Sequence, residues 1–291
     1  MKKKKKISID LIHTAFQFIE EQNFEYLLVS AKLKGDIECI NNLRSTQKIL
    51  WITPENFSLG NEEDFVAPPL GQKMDLSSRV SFSLFLAYIK NFIGYEDLIA
   101  CLTTQCKVGA IDTLMVSSPR KLFPWLAGKE RVFKNLLQKI SPVTFVSLLE
   151  VALRLVKEGR EGKPIGTMFV LAHPQDLEKY TEQLILNPLK GHPKKTCNIH
   201  NPVFFETIRE LSAIDGGFVV SPKGTVISSG TYFHSTAHHK SKLKKGFGTR
   251  HAAAMSLTKQ TESIAIVLSE SSSDIRIFYA GKMIFEGGVH S

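Results

Sequence analysis

The chain has 291 residues and a net charge of +9, with 37 Lys and Arg against 28 Asp and Glu. Its 43% hydrophobic and 22% charged residues are typical of a globular protein long enough for two domains. Four scattered cysteines without a C-x-x-C pair exclude a disulfide framework and a cysteine-based zinc site, and they favour a cytoplasmic location. No window approaches the roughly 18 uninterrupted apolar residues of a membrane helix, so we expect a soluble protein.

Residues 1–125 are expected to form a small α/β domain. The Lys2–Lys6 run is interpreted as a disordered tail. Behind it, strands are predicted at 26–30, 48–52 and 112–117, with helices at 7–22, 78–92 and 95–103 and a loop at 54–78. Strands that alternate with helices favour an α/β layer. Proline and glycine residues at 119–130 indicate the boundary, and the second domain spans 126–291.

The second domain alternates helices and strands and includes a hairpin. Helices are predicted at 131–139, from Pro142 to Gly159, at 174–184 and from Asn201 to about 211. Strands are predicted at 166–171, 218–220, 225–228, 262–268, 274–278 and 283–285, with the hairpin turn at 221–224.

The segment Gly246-Phe-Gly-Thr-Arg-His-Ala-Ala-Ala254 is a glycine-rich turn that leads into a helix-forming run. Free backbone N–H groups and the positive dipole end of such a helix attract anions. Thr249 is a candidate N-cap, and Arg250 offers a bidentate phosphate contact. Lysines at 240, 242, 244 and 245 add positive charge, which together predicts a triphosphate site. The alternative is an ordinary capped helix after a solvated lysine loop.

Other polar residues lie at the ends of predicted strands. Asp215 precedes two glycines and is a candidate metal ligand or general base, although Asp-Gly is also a common turn. Ser269-Glu270-Ser271 ends a strand and either serves Mg²⁺ or forms a turn. Tyr232 either stacks on a base or belongs to the core. The histidines at 234, 238 and 239 lack a further ligand at fitting spacing and are interpreted as a basic loop.

Five segments occur in the order and at about the spacing found in the diadenylate cyclase (DisA_N or DAC) domain, which residues 130–291 therefore resemble. They are Gly166-Thr-Met-Phe-Val, Asn187-Pro-Leu-Lys-Gly-His192, Asp215-Gly-Gly217, Gly248-Thr-Arg-His251 and Ser269-Glu270-Ser271. The resemblance implies a domain with a central mixed β-sheet flanked by helices. It also implies condensation of two ATP into cyclic di-AMP and two pyrophosphates with Mn²⁺ or Mg²⁺, between two domains that face each other.

Roles follow from the resemblance by position. Catalysis is expected of Asp215, which prepares the ribose 3′-hydroxyl, and of Arg250 and His251 at the phosphates. Glu270 and Asp215 are the expected metal ligands. The expected ATP-binding residues are Gly216, Gly217, Tyr232, Gly248, Thr249, Arg250, His251 and Ser269.

The chain departs from the family pattern at two positions. Asp-Gly-Ala is here Asp215-Gly-Gly217, and Arg-His-Arg is here Arg250-His251-Ala252. Loss of the second arginine leaves a second hypothesis open, a weak or inactive domain that senses ATP or cyclic di-AMP. The first half resembles the pyruvate-kinase C-terminal-like domain of archaeal-type diadenylate cyclases, with a regulatory role. Neither a membrane nor nucleic acid is an expected partner, although the +9 charge keeps a salt-dependent nucleic-acid binder as a third reading.

Overall fold

The computed structural model describes residues 2–31, 33–52, 64–66, 76–104, 110–234 and 248–288. The chain divides into two compact units, the first ending at Glu130 and the second beginning at Arg131. The histidines at 238 and 239, the lysines at 240–245 and most of the predicted loop at 54–78 lie outside the described residues.

The N-terminal unit is built on a β-sheet with helices. Its helices are α1 (Lys2–Glu21), α2 (Lys34–Leu43), α3 (Leu76–Ile89) and α4 (Pro119–Leu122), followed by a 3₁₀ turn at Pro124–Leu126. Its strands are β1 (Tyr26–Val29), β2 (Lys48–Trp51), β3 (Phe65–Val66), β4 (Ile99–Thr103) and β5 (Thr113–Ser117). Within the described residues the strand order is β3-β2-β1-β4-β5, and every pairing is parallel except β4 with β5.

Three details of this unit differ from the sequence-based expectations. The Lys2–Lys6 run was expected to be a disordered tail, but helix α1 begins at Lys2. Helix α2 was not predicted. The segment 95–103 was predicted as a helix, and residues Ile99–Thr103 instead form the fully buried strand β4. A short continuous apolar run fits a buried strand as well as a helix, and pairing with β1 decides between them.

The C-terminal unit carries the larger sheet. Its helices are α5 (Glu130–Ile140), α6 (Pro142–Glu158), α7 (Pro174–Leu177), α8 (Phe204–Leu211) and α9 (Thr249–Gln260), with a 3₁₀ turn at Glu178–Tyr180. Its strands are β6 (Thr167–Leu171), β7 (Thr181–Gln183), β8 (Gly217–Val220), β9 (Val226–Phe233), β10 (Ile264–Leu268), β11 (Asp274–Tyr279) and β12 (Lys282–Gly288).

The described strands of this unit form one mixed sheet in the order β12-β11-β10-β6-β8-β9-β7. Strands β6 and β8 are parallel, and the other pairings are antiparallel. The predicted α/β class with a central mixed sheet is therefore confirmed. The centre of the sheet is apolar, with Phe169 of β6 stacked on Phe218 of β8 at 4.8 Å between ring centroids.

The pairing brings several chain ends to one edge of the sheet. Because β6 and β8 run in parallel, the residues before them, Gly166 and Gly216, lie at the same edge. Strands β10 and β9 run the opposite way and end at this edge, at Ser269 and near Tyr232. Helix α9 packs against β10, β11 and β6 through small residues and Leu257. The small side chains of α9 let its backbone approach the sheet closely.

The segment 174–184 was predicted as one helix and is instead a short α-helix, a 3₁₀ turn and the edge strand β7. The return strand of the hairpin extends to Phe233, beyond the predicted residue 228.

In the described residues no single helix is both long and apolar enough to cross a membrane, and α5 with α6 meets that test only as a pair bent by 83°.

Candidate active site

A cavity of about 450 Å³ opens at the shared edge of the sheet. Strands β6 and β9, the turn before β8, the start of α9 and Leu184 after β7 all contribute to its wall. The lining residues are Met168, Leu184, Asp215, Gly216, Tyr232, Phe233, Thr249, Arg250, Ala252 and Ala253. The cavity therefore has an apolar side and a polar mouth that holds one carboxylate and one guanidinium, a pattern typical of small-molecule sites.

Asp215 and the two glycines after it occupy a crowded turn. Gly216 has φ +97°, and a Cβ there would lie 2.5 Å from the carbonyl oxygen of Thr231. A Cβ at Gly217 would lie 2.4 Å from the carbonyl oxygen of Met168. Only glycine fits at both positions without a backbone shift. Glycine in place of the alanine of the family's Asp-Gly-Ala pattern therefore suits this backbone. The turn leaves the side chain of Asp215 96% exposed at the mouth of the cavity.

Helix α9 begins at Thr249, and its N-cap is Gly248. Thr249 was predicted as the N-cap and is instead the first helical residue, because the carbonyl of Gly248 accepts the first hydrogen bonds of the helix, from the amides of His251 and Ala252. The backbone N–H groups of Thr249 and Arg250 precede those bonds and have no intrahelical acceptor. Thr249 lines the cavity, so this end of the helix faces the space where an anion would bind.

Arg250 pairs with one predicted metal ligand, Asp215, and shares the space beside Gly166 with the other, Glu270. Its Nη2 lies 3.8 Å from Oδ1 of Asp215, which is a loose ion pair at a partly exposed position. Its Nη1 occupies the space beside Gly166, where a Cβ would lie 3.2 Å from Nη1 and 3.1 Å from Cβ of Glu270. Glycine at position 166 thus makes room for the guanidinium next to Glu270. This role of Gly166 was not predicted, although the glycine begins one of the five segments that carry the family resemblance.

His251 does not line the cavity. Its ring is 5% exposed, and Nε2 lies 3.0 Å from Nη1 of Arg276, while the amide nitrogen of Gly248 lies 3.2 Å from Nδ1. Burial, followed by the charge of Arg276, lowers the pKa of His251 to about 4. Both ring nitrogens lie near N–H donors; a neutral ring can accept at one of them, and a protonated ring at neither. The ring is therefore neutral at pH 7, and the prediction that it holds phosphates directly stays a prediction.

The apolar lining of the cavity contains Leu184 and Tyr232, both about half exposed, and the small buried residues Ala252 and Ala253. Ala252 stands where the family pattern has a second arginine, and it is 3% exposed. Tyr232, predicted to be near a base, lies in the wall, whereas Leu184 was not predicted. A flat ring between a tyrosine and a leucine side chain buries apolar area on both faces.

Only two metal ligands were predicted, Asp215 and Glu270. Glu270 is exposed at the end of β10, and Ser269 is largely buried, with its Oγ 3.4 Å from Oγ of Ser271 and outside the cavity lining. In the described residues no cluster of three or more His, Cys, Asp or Glu side chains could hold a metal ion by itself. Two exposed carboxylates fit a divalent ion that takes its other ligands from substrate phosphates and water, which is the usual arrangement for Mg²⁺.

The geometry defines a class of protein. A half-apolar cavity of this size, a bare helix N-terminus, an arginine and an exposed carboxylate together form a nucleotide-binding α/β site suited to phosphoryl-transfer chemistry.

Comparisons with known proteins identify the family. The DAC family, described as "DisA bacterial checkpoint controller nucleotide-binding", matches residues 155–283. A diadenylate cyclase of Haloferax volcanii is 31% identical over 235 residues, covering 81% of this chain and 83% of that protein. A diadenylate cyclase of Methanocaldococcus jannaschii is 29% identical over 293 residues, covering 96% and 93%. The structure of DacA from Staphylococcus aureus aligns over 53% of this chain and 87% of its own, at 19% identity and a TM-score of 0.31.

The chain belongs to the diadenylate cyclase family and is an enzyme of the nucleotidyltransferase class. The predicted family is confirmed. The individual residue roles stay predictions.

Gly166→Ala tests whether the space beside Arg250 matters. The added methyl group displaces a flexible guanidinium, so we expect kcat/KM to fall about tenfold or more while the melting temperature changes little. Steady-state kinetics and thermal unfolding measure the two effects. A double-mutant cycle supplies the control, because Gly166→Ala should add little further loss in an Arg250→Ala background. Additive losses would contradict the role given to Gly166.

The neutral state of His251 predicts a pH dependence of stability. The pKa falls from about 6.5 in the unfolded chain to about 4 in the folded one, so the stabilisation is complete above about pH 6.5 and is lost as the pH falls toward 4. Between pH 7.5 and 5 we expect His251 to contribute a loss of about 2 kcal/mol. Denaturant unfolding of His251→Gln should show a shallower pH dependence than wild type. His192→Gln, at an exposed position, serves as the control and should follow wild type.

Proposed function

We propose that the C-terminal unit binds one ATP in the cavity, and that two copies facing each other condense two ATP into cyclic di-AMP and two pyrophosphates. The observation that carries this proposal is the meeting of Asp215 and Arg250 at the mouth of an apolar cavity, 3.8 Å apart beside the bare end of α9. Phosphoryl transfer depends mainly on positioning and charge neutralisation, and this arrangement supports both.

The cavity suggests how ATP would lie. The adenine fits the apolar side, between Tyr232 and Leu184. The triphosphate then reaches the start of α9, where Thr249, the free backbone N–H groups and Arg250 bind phosphate oxygens. Gly216 and Gly217 allow the ribose to approach the backbone of β8. A long ion pair between Arg250 and Asp215 is easily exchanged for a stronger bidentate contact with phosphate.

Asp215 is proposed to act on the ribose 3′-hydroxyl. Its carboxylate is exposed at the mouth, so it can accept the hydroxyl proton as the 3′-oxygen attacks. That oxygen bonds to the α-phosphorus of the facing ATP while the bond from this phosphorus to pyrophosphate breaks. The same step with the two nucleotides exchanged closes the ring. Each turnover therefore releases two pyrophosphates and transfers two protons.

Two copies of the chain are needed for this geometry. One cavity of about 450 Å³ suits a single ATP, and the attacked phosphorus belongs to a second one. In-line attack requires the two sites to face each other, so self-association is part of the proposed mechanism. The partners are then ATP, cyclic di-AMP and a second copy of the chain, without a role for membrane or nucleic acid.

A divalent cation, Mn²⁺ or Mg²⁺, completes the proposed site. Asp215 and Glu270 would hold it together with the phosphates, beside Arg250. When bound, the cation neutralises charge that develops on the phosphate oxygens.

Two further assignments accompany this function. We propose that the N-terminal unit, predicted as residues 1–125 with a pyruvate-kinase C-terminal-like fold, regulates the C-terminal one, since it is a separate compact unit. The described cysteines Cys39, Cys101 and Cys197 are free thiols, which suits a reducing, cytoplasmic compartment.

A sensor is the second candidate function. Ala252 replaces an arginine of the family pattern, and it lies in the cavity wall without any charge. A domain of this kind would bind ATP or cyclic di-AMP and turn over weakly or not at all. Purified protein that binds ATP with Mn²⁺ or Mg²⁺ yet yields no cyclic di-AMP would favour the sensor over the cyclase.

Asp215→Asn and Arg250→Ala test the proposed roles. Each variant removes one charged group from a partly or fully exposed position, so we expect the fold to persist and cyclic di-AMP formation to fall by about 10²-fold or more. Mass spectrometry of products formed from ATP with Mn²⁺ or Mg²⁺ measures the loss, and circular dichroism checks the fold. Arg160→Ala, which removes an arginine paired with Glu210, is the matched control. Product at the wild-type rate from either site variant would contradict its role.

The need for two copies predicts a dependence on protein concentration. If cyclisation occurs between facing sites, activity per chain should rise with enzyme concentration and level off once association is complete. Initial rates across a dilution series, compared with mass measurements at the same concentrations, test this. Activity per chain that stays constant well below the association midpoint would exclude the two-copy mechanism.

A further inference from the structure

A cluster of charged side chains around the buried Arg276 lies outside the cavity lining; Asp274 is also buried, and the side chain of Glu286 is 45% exposed. Arg276 of β11 is 8% exposed, and each of three guanidinium nitrogens has its own partner. Nη2 donates to Oδ2 of Asp274 at 2.8 Å, Nε donates to Oε1 of Glu286 at 2.6 Å, and Nη1 lies 3.0 Å from Nε2 of His251. Cross-strand pairing sets Arg276 directly opposite Glu286. The guanidinium is thus fixed by the sheet.

The contact with His251 links this cluster to the catalytic helix. A guanidinium only donates, so Nε2 is the acceptor and the charged donor makes the stronger of the two contacts to the ring. Nδ1 then carries the ring proton and does not accept from the amide nitrogen of Gly248, the N-cap residue, which lies 3.2 Å away. The backbone of His251 closes the first turn of α9 by donating to the carbonyl of Gly248 at 3.1 Å. Arg276, His251 and Gly248 therefore form a continuous chain from the sheet to the turn.

Stabilisation of the fold is a weak explanation for the ion pairs around Arg276. A buried ion pair often stabilises a fold no more than apolar side chains of the same volume, whereas an Arg fork fixes its partners in one geometry. Here the fork of Arg276 fixes His251, which is the neighbour of Arg250 in the chain. His251 belongs to the first turn of α9, which presents Thr249 to the cavity.

We propose that Arg276 is a positioning residue for the cyclase reaction, which orients His251 and thereby the first turn of α9 with Thr249 and Arg250. The proposal rests on the proposed function of the cavity. Arg276 touches neither substrate nor metal in this scheme. It acts through the angle at which α9 begins, since a small misplacement of phosphate-binding groups reduces both binding and rate.

Arg276→Lys is the main test, with Arg160→Lys as the matched control. Lysine keeps the charge but offers one nitrogen in place of a three-way fork. Arg160 lies in the turn after α6 and also pairs with two carboxylates, those of Glu161 and Glu210. Its replacement by lysine therefore measures the effect of the same substitution away from α9. Binding of 3′-deoxy-ATP, which lacks the attacking hydroxyl, is measured by calorimetry, and KM and kcat are measured with ATP.

We expect Arg276→Lys to weaken 3′-deoxy-ATP binding about tenfold and to raise KM, with Arg160→Lys close to wild type. A second readout is independent of turnover. Side-chain NMR of His251 in Arg276→Gln should show its pKa rising toward the ordinary value, because this variant removes the charge of Arg276, the second cause of the lowered pKa. Asp274, Glu286 and Arg250 also face the ring electrostatically and are unchanged in the variant.

Several outcomes would overturn the proposal. Unchanged binding and KM in Arg276→Lys, an unchanged His251 pKa in Arg276→Gln, or equal losses in Arg160→Lys would leave Arg276 with a structural role only. If Arg276→Lys does not fold, Asp274→Asn combined with Arg276→Met removes the guanidinium together with one carboxylate, and the same measurements apply. Wild-type protein that forms no cyclic di-AMP would refute the proposed function, while binding and NMR would still test the positioning.

Discussion

The parallel pairing of β6 with β8 is the constraint on which the rest of the site depends. It aligns Gly166 and Gly216 at one edge of the sheet, and the antiparallel neighbours β10 and β9 end at that same edge. Ligands in open parallel sheets usually bind at the carboxyl ends of the strands. Here the cavity lies at the amino ends of the parallel pair, where the turn before β8, the end of β9 and the start of α9 supply the polar groups.

Charge is distributed unevenly around this edge. Arg250 faces the cavity, whereas Arg276 is buried outside its lining and contacts two carboxylates and a neutral imidazole. The neutral ring is a consequence of burial and of a nearby guanidinium, and it lets His251 pack close to the turn without adding charge. Arg250 thus makes one loose ion pair at the cavity, whereas Arg276 is held by three side-chain partners beside the first turn of α9.

Much of the site was readable from the sequence because its signals are local. Asp215-Gly216 and Gly248-Thr-Arg-His251 carry turn and helix-start patterns, and the structure places Asp215, Thr249 and Arg250 around one cavity. The errors arose where local patterns are ambiguous. The apolar run at 99–103 fits a helix or a buried strand, and a threonine beside a glycine fits either N-cap or first helical position. Strand pairing decides between helix and strand in the first case. In the second, the residue whose carbonyl accepts the first hydrogen bonds of the helix is the N-cap.

The sequence by itself determined the α/β class, because composition and periodicity are encoded locally, and its five ordered motifs carried the resemblance that identified the family. The roles of single side chains toward phosphate, metal and base stay predictions. The tertiary structure decided which of these side chains meet. It buried His251 against Arg276, put Gly166 beside Arg250, and added Leu184 to the cavity wall. These contacts join residues far apart in the chain, and their geometry follows from strand register and close packing, which no local pattern records.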